Sequence, residues 1–298
     1  MSSPVVSTLK RIRNIPPVNR LTTSSVKLLT DATGWRPEWL LERLMRIGPV
    51  PLPLPNRRTM TLWGWGDDWI TNRLYWHGWK GYEPESTTLF FRLAMRSAVT
   101  LDIGAHVGIF SLLASHANPQ GRVIAFEPMP EVFARLQRNI AQNRVTNVEC
   151  VNSAVGETDG TATCYHVKES YLSSEATLSA ESKPVGHAVH TSDVPVLRID
   201  TFVQQRQLPR VTLVKIDTET TEPSVIRGML ETIRRDQPQI LCEVLAGCNT
   251  DQALESLLRP LGYRYYLITK DSLVPKDRIE CHLDWRNYLF VPPGGPAA

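Results

Sequence analysis

An α/β domain on a doubly wound, seven-stranded sheet is what this sequence predicts, and three observations predict it. The first is the stretch from Val99 to Glu127. There a short apolar run breaks into Gly104 and Gly108, an amphipathic segment follows, and a second apolar run ends in an acid. That order is strand, glycine turn, helix, strand, carboxylate. The second is the recurrence of short apolar runs at 147–155, 211–216, 239–244, 263–269 and 287–291, separated by helical periodicity or turns. Strands alternating with helices build a parallel sheet covered on both faces. The third is size: 298 residues, 42% of them hydrophobic, supply the core of one large domain or of one domain with an extra piece.

Taken in order, residues 1–60 form an N-terminal extension. Residues 1–33, rich in Ser, Thr, Pro and basic side chains, read as partly disordered or as an arm packed on a neighbour. The spacing of Trp35, Trp39, Leu40, Leu44 and Ile47 predicts a helix, serving as a cap on the site, a dimer element or a packed surface helix. Proline alternates with apolar residues over 49–55, which favours extended chain, and the turn at 55–57 makes a hairpin with 59–63. Residues 61–97 are aromatic-rich (Trp63, Trp65, Trp69, Tyr75, Trp76, Trp79) and read as core, or as a cover for the site that follows. A helix over 87–97 feeds the first strand.

The main domain spans 98–292. Its second helix covers 130–143, with Val132, Phe133, Leu136 and Ile140 inward, and the third strand ends at Asn152, Ser153 and Ala154. Strict alternation lapses over about 157–198. There, strands at 161–166 and 194–199 flank a polar segment holding His187 and His190, read as a substrate-facing hairpin or a solvated loop. A short helix follows at 200–207, and Pro223 opens the helix after the fourth strand. The helix over 251–261 stops at Gly262, the last strand is expected to be antiparallel, and 293–298 is a flexible tail.

In open α/β sheets ligands bind beyond the carboxyl ends of the strands. This sequence places there Asp102, Gly104, Glu127, Asn152, Ser153, Ala154, Asp217, Glu219 and Glu243. A dinucleotide fold wants Gly-x-Gly-x-x-Gly at the first turn, so that backbone amides cradle a pyrophosphate. Here the pattern is Asp102-x-Gly104-x-x-x-Gly108, with Ala105 and His106 where another glycine is needed. It suits an adenosine carrying a charged amino-acid tail and no phosphates: Glu127 accepts from the ribose hydroxyls, and Asp102 reaches an ammonium. That describes S-adenosylmethionine. The bland alternative is a βαβ unit whose glycines merely turn the chain.

Asp-Ile-Gly-Ala-His-Val-Gly at 102–108 and Ala-Phe-Glu-Pro at 125–128 resemble the first two motifs of S-adenosylmethionine-dependent methyltransferases. The segments at 133–143, 152–156 and 214–219 narrow the resemblance to the FkbM family, over about residues 67 to 290. The resemblance implies a Rossmann-like sheet of the class I methyltransferase type, with sugars, glycolipids or macrolide-like natural products as substrates. Methyl transfer to a hydroxyl requires the acceptor to be aligned and its proton removed. Asp217 and Glu219 lead as candidates by position, then Glu243, then His187 and His190; Lys215 is expected to face the other way. Asp217 is also counted among the cofactor contacts. Asp217 and Glu243 could converge on a divalent metal, but none is assigned. One departure stands out: the family pattern Asp-x-Glu-Gly-x-Glu carries Thr220 in place of its glycine, which implies a reshaped loop or impaired activity.

The leading reading is therefore an S-adenosylmethionine-dependent O-methyltransferase acting on a small-molecule hydroxyl. The alternatives are a nicotinamide-dependent oxidoreductase, or a catalytically impaired nucleoside-binding protein. A net charge of +3 argues against a nucleic-acid surface. Five scattered cysteines without a Cys-x-x-Cys pair argue against zinc ribbons and point to a cytoplasmic setting. No run is long enough to span a bilayer. A homodimer and a loose membrane association are both left open.

Overall fold

The computed structural model describes residues 14–167, 177–179, 181, 189–245, 249–270 and 272–296. It divides the chain into two compact units, one up to Pro84 and one from Glu85 onward. The division falls inside the aromatic-rich stretch.

The first unit opens with helix α1, Pro16–Thr33, in the segment expected to be partly disordered. Pro16 and Pro17 occupy its first turn, where a missing N–H costs nothing, and Gly34 ends it in the left-handed conformation. Helix α2 covers only Glu38–Leu41, shorter than the helix expected over 35–47. By Ile47 the chain is already in strand β1, Ile47–Pro53, because Pro49, Pro51 and Pro53 cannot continue a helix. β1 pairs antiparallel with β2, Thr59–Trp65, as the proline pattern and turn predict. Val50, Leu52, Met60 and Leu62 form one buried face. Helix α3, Trp69–His77, is capped by Asp68, which accepts from the Ile70 and Thr71 amides. Its Trp76 is buried, with the indole N–H donating to the Leu44 carbonyl, whereas Trp69 is more than half exposed. Trp76 is thus a core residue of this unit, whereas Trp63, Trp65 and Trp79 are half-buried.

The second unit contains helix α4, Pro84–Ala94, then β3, Val99–Ile103, and α5, Ile109–Ala117. Next come β4, Arg122–Phe126, α6, Pro130–Asn143, β5, Val148–Val151, and β6, Ala154–Val155. β7, Gly160–Val167, and β8, Val189–Leu197, are the inserted pair, followed by α7, Ile199–Gln205, and β9, Leu213–Ile216. The chain closes through α8, Glu222–Gly228, α9, Leu230–Asp236, β10, Gln239–Glu243, α10, Thr250–Leu258, β11, Arg264–Ile268, β12, Leu273–Lys276, and β13, Asn287–Val291.

The sheet order is β12-β11-β13-β10-β9-β3-β4-β5. All seven expected strands take part, and β12 adds an eighth at the edge. β10, β9, β3, β4 and β5 are mutually parallel, while β13 runs antiparallel between β10 and β11. From β3 the chain builds outward through β4 and β5, then returns to β9 and builds the other way. The topological switch point lies between β3 and β9. β3 and β9 are buried on both faces, which is why they read as continuous apolar runs.

The expected third strand is split. β5 ends at Val151 because the Asn152 amide turns to donate to the Glu127 and Pro128 carbonyls, and β6 then joins a three-stranded sheet, β6-β8-β7. β7 and β8 pair antiparallel from Gly160↔Val196 to Val167↔Val189, so the insertion is a hairpin. Among the described residues, no helix is long and apolar enough to cross a membrane.

Candidate active site

The carboxyl ends of β3, β4, β9 and β10 bring Asp102, Glu127, Asp217 and Glu243 to one end of the parallel sheet. Between β3 and α5 the chain passes through three left-handed residues, Gly104 at φ 79°, His106 at 51° and Gly108 at 91°. A Cβ on Gly104 would overlap the Asp217 carbonyl oxygen, and one on Gly108 would press on Leu136 Cδ1 at 2.6 Å. Both glycines thus have packing reasons to be there. Gly104 lets the β3 and β9 tips touch. The Gly104 and Ala105 amides donate to the Phe126 carbonyl at 3.1 and 2.9 Å, which tethers this turn to β4.

Glu127 is 6% exposed. Its Oε2 accepts from the His106 amide at 3.0 Å and its Oε1 from the Met129 amide at 3.0 Å. Each oxygen keeps a second lone pair for a ligand hydroxyl. Burial pushes this carboxyl up to about 7, against the two amide hydrogen bonds. Asp102 is buried, accepts from Ser111 Oγ at 2.5 Å, and is pushed up to about 6 by the same cause. Asn152, having donated to two carbonyls, retains its amide oxygen at the β5 tip. Ser153 donates instead to the Ala154 and Pro195 carbonyls and Ala154 pairs with Val196, so both anchor the hairpin sheet.

Lys215 does not face away from the site. Two residues apart on a strand, Lys215 and Asp217 share a face, and Lys215 Nζ lies 3.1 Å from Asp217 Oδ2. The register sets Lys215 beside Asp102. The ammonium is buried and lies 5.0 Å from the centroid of the Phe110 ring. Burial pushes the Asp217 carboxyl up, but the Lys215 charge and a hydrogen bond with Glu243 outweigh it, holding Asp217 below the usual carboxylate range. Glu243 goes the other way: burial, then the charges of Asp217 and Glu219, drive it well above its ordinary value. The opposed shifts favour a single negative charge on the hydrogen-bonded pair.

Carboxylate oxygens of Asp217, Glu219 and Glu243 all lie within 4.8 Å of one another. Lys215 Nζ, 3.1 Å from Asp217 Oδ2, offsets part of the negative charge there.

Thr220 sits in a left-handed backbone that glycine adopts without cost. Glu219 and Thr220 are consecutively left-handed, at φ 53° and 83°. Glu222, fully buried, holds them there: its Oε1 accepts from the Thr218 amide at 3.0 Å, the Thr218 hydroxyl at 3.1 Å and the Thr220 amide at 3.2 Å. Thr177 of the insertion donates to the Glu219 carbonyl at 2.6 Å, and its backbone pairs with Tyr165 of β7. The inserted segment is thereby tied to the acidic loop. Neither Glu222 nor Thr177 stood out in the sequence as a loop anchor; Glu222 was visible only as the last letter of a motif. His190 pairs across the hairpin with His166, ring centroids 6.2 Å apart. His187 lies outside the described residues.

These groups suit a nucleoside without phosphates. At the strand tips the side chains are carboxylates and an amide, and the nearby cation, Lys215, is engaged by Asp217. A pyrophosphate there would face four acids.

The profile of the methyltransferase FkbM domain matches residues 102–265, more than half of the chain. Methyltransferase 1 of Beauveria bassiana is 29% identical over 144 residues, 43% of this chain and 57% of that protein, so this chain spans little more than half of that relative's length. The 31-O-demethyl-FK506 methyltransferase FkbM of Streptomyces tacrolimicus is 28% identical over 194 residues, 55% of this chain and 72% of that protein. Among solved structures, methyltransferase FkbM from Methylobacillus flagellatus aligns with a TM-score of 0.45 at 16% identity, covering 76% of this chain and 55% of that one.

Proposed function

This chain belongs to the FkbM methyltransferase family, whose methyl donor is S-adenosylmethionine, and on that premise we propose that it methylates a hydroxyl oxygen of a small molecule. The substrate class is a sugar, a glycolipid or a polyketide-like natural product. The observation that carries the reading is the Lys215–Asp217–Glu243 cluster at the switch point, beside the nucleoside-binding tips of β3 and β4. The Streptomyces relative, named for an O-demethylated acceptor, supports the choice of oxygen. The nicotinamide alternative is set aside by family membership.

The donor supplies an activated methyl group on a good leaving group, so the protein's task is to place the acceptor and receive its proton. Glu127 would bind the ribose hydroxyls with its two remaining lone pairs, and Asp102 the ammonium of the amino-acid tail. Gly104, Ala105, His106 and Gly108 would shape the turn around that tail, with Asn152 at the base. Asp217, kept ionised by Lys215, would accept the hydrogen bond of the acceptor hydroxyl and then its proton. Glu243, driven by burial to hold its own proton, would keep the pair at a single charge before transfer. The acceptor's proton would leave the pair neutral until passed to solvent. Glu219 and the Thr177 segment would line the acceptor side.

A methyl-release assay over a panel of sugars and hydroxylated natural products tests this. Asp217→Asn should lower kcat by about 100-fold on any accepted hydroxyl, the lower range for a lost general base. Titration with S-adenosylhomocysteine separates a loss of chemistry from a loss of cofactor binding. An Asp217→Asn enzyme as active as the parent would overturn the assignment.

A further inference from the structure

Among the described residues, most of the large exposed hydrophobic side chains belong to the first unit. Of eleven large hydrophobic side chains exposed among the described residues, eight precede Pro84. Helix α1 explains the concentration. At 100° per residue, Val18, Leu21, Leu28 and Leu29 fall, with Ser25 and Ala32, within a single arc of about 100°. That arc faces out: Leu21 and Leu28 are each 72% exposed, and Leu29 is 63% exposed. The buried arc is polar, made of Asn19, Thr23 and Thr30. Asn19 donates to the Met45 carbonyl at 2.8 Å and accepts from the Ile47 amide at 2.7 Å, and Arg46 donates to Thr23 Oγ1 at 2.7 Å. The helix is docked by hydrogen bonds and presents its leucines outward, the reverse of a surface helix in an ordinary domain. Just past its end, Trp35 and Trp39 are also more than 60% exposed.

The charge is divided in the same way. Residues 1–84 carry 12 Lys and Arg against 6 Asp and Glu, whereas 85–298 carry 21 against 24. An apolar helical arc, adjoining tryptophans and a local excess of six positive charges match the chemistry of an anionic bilayer surface: acyl chains beneath, headgroup level for indoles, negative phosphates outside. A second copy of the chain fits less well, since it would set one basic surface against another.

We propose that α1 lies in the plane of an anionic lipid surface, its Val18–Leu21–Leu28–Leu29 arc in the acyl boundary and Trp35 and Trp39 among the headgroups. The full chain would then be a peripheral membrane protein.

Co-sedimentation of the full chain with phosphatidylglycerol-rich vesicles, and with phosphatidylcholine vesicles alone, tests it. Binding should be selective for the anionic vesicles, fall with added salt, and shift tryptophan emission to the blue. Leu21→Ser combined with Leu28→Ser should weaken binding by about tenfold or more, since affinity scales with buried apolar area. Trp35→Ser with Trp39→Ser provides a second, independent loss, and Leu283→Ser, exposed in the other unit, should change nothing. Circular dichroism on each variant confirms that the fold is kept. Absent or charge-independent vesicle binding would overturn the proposal. So would a dimer in sedimentation equilibrium that the leucine variant dissociates, which would identify a second copy as the occupant.

Discussion

Two single residues illustrate how burial and backbone set this site's properties. Folding lifts the Glu127 carboxyl from 4.5 to about 7. Between those pH values the folded chain keeps a proton that the unfolded chain has released. Stability therefore falls as pH rises through that window, and Asp102, lifted from 3.8 to about 6, adds to the same slope. Glu127→Gln should flatten the decline between about pH 5 and pH 7 in urea-unfolding series; an unchanged slope would mean that Glu127 is not buried as described. Thr220 is the second case. A β-branched residue at φ 83° carries strain of order 1–3 kcal/mol, and its amide is held by Glu222, which also accepts twice from Thr218. Thr220→Gly should raise the unfolding free energy by about 1 kcal/mol, after the added freedom of glycine in the unfolded chain is subtracted. A less stable variant would show that the loop relaxes around threonine without strain. The sequence flagged position 220 as a departure, but could not say that threonine takes up the left-handed backbone there and bears the cost.

Among the elements, the contact between the turn after β3 and the tip of β9 matters most, because it closes the switch point. Gly104→Ala would drive a methyl group into the Asp217 carbonyl oxygen from a left-handed backbone. The cost should be about 3 kcal/mol in denaturant titrations, from overpacking plus backbone strain, with weakened S-adenosylhomocysteine binding alongside it. A variant of parental stability would show that the two tips are not in contact. This role of Gly104 was not legible in the sequence, where the same residue read as a place for a ligand to approach. The strands, the glycine turn and the hairpin were legible, since each rests on local periodicity or turn chemistry. Helix α1 was not. Its outward leucines and inward Asn19 and Thr23 reverse the usual rule, and its serines and threonines suggested irregular chain. Lys215 was misread for a related reason: a charged residue in a fully buried strand was assumed to point away, whereas Asp217 supplies the counter-charge that lets it stay.

Over the whole molecule, cofactor binding and folding are linked, because the turn after β3 and the tips of β4 and β9 form one surface only in the folded second unit. S-adenosylhomocysteine at about one hundred times its Kd should add about 2.7 kcal/mol to stability. For a unit of this size that raises Tm by roughly 5–10 °C in calorimetry. NAD at equal concentration should leave Tm unchanged, and a shift of the same size with NAD would reopen the dinucleotide reading. By itself the sequence determined the order of strands and helices, the glycine turn without a phosphate cradle, and the row of acids following the strands, because each is written in residues close together in the chain. Only the tertiary structure decided that Asp102 lies beside Lys215, that Asp217 and Glu243 meet in a hydrogen bond, that Thr177 reaches the Glu219 loop, and which face of α1 is exposed. Those pairings join residues far apart in sequence, through strand register and burial that no local pattern encodes.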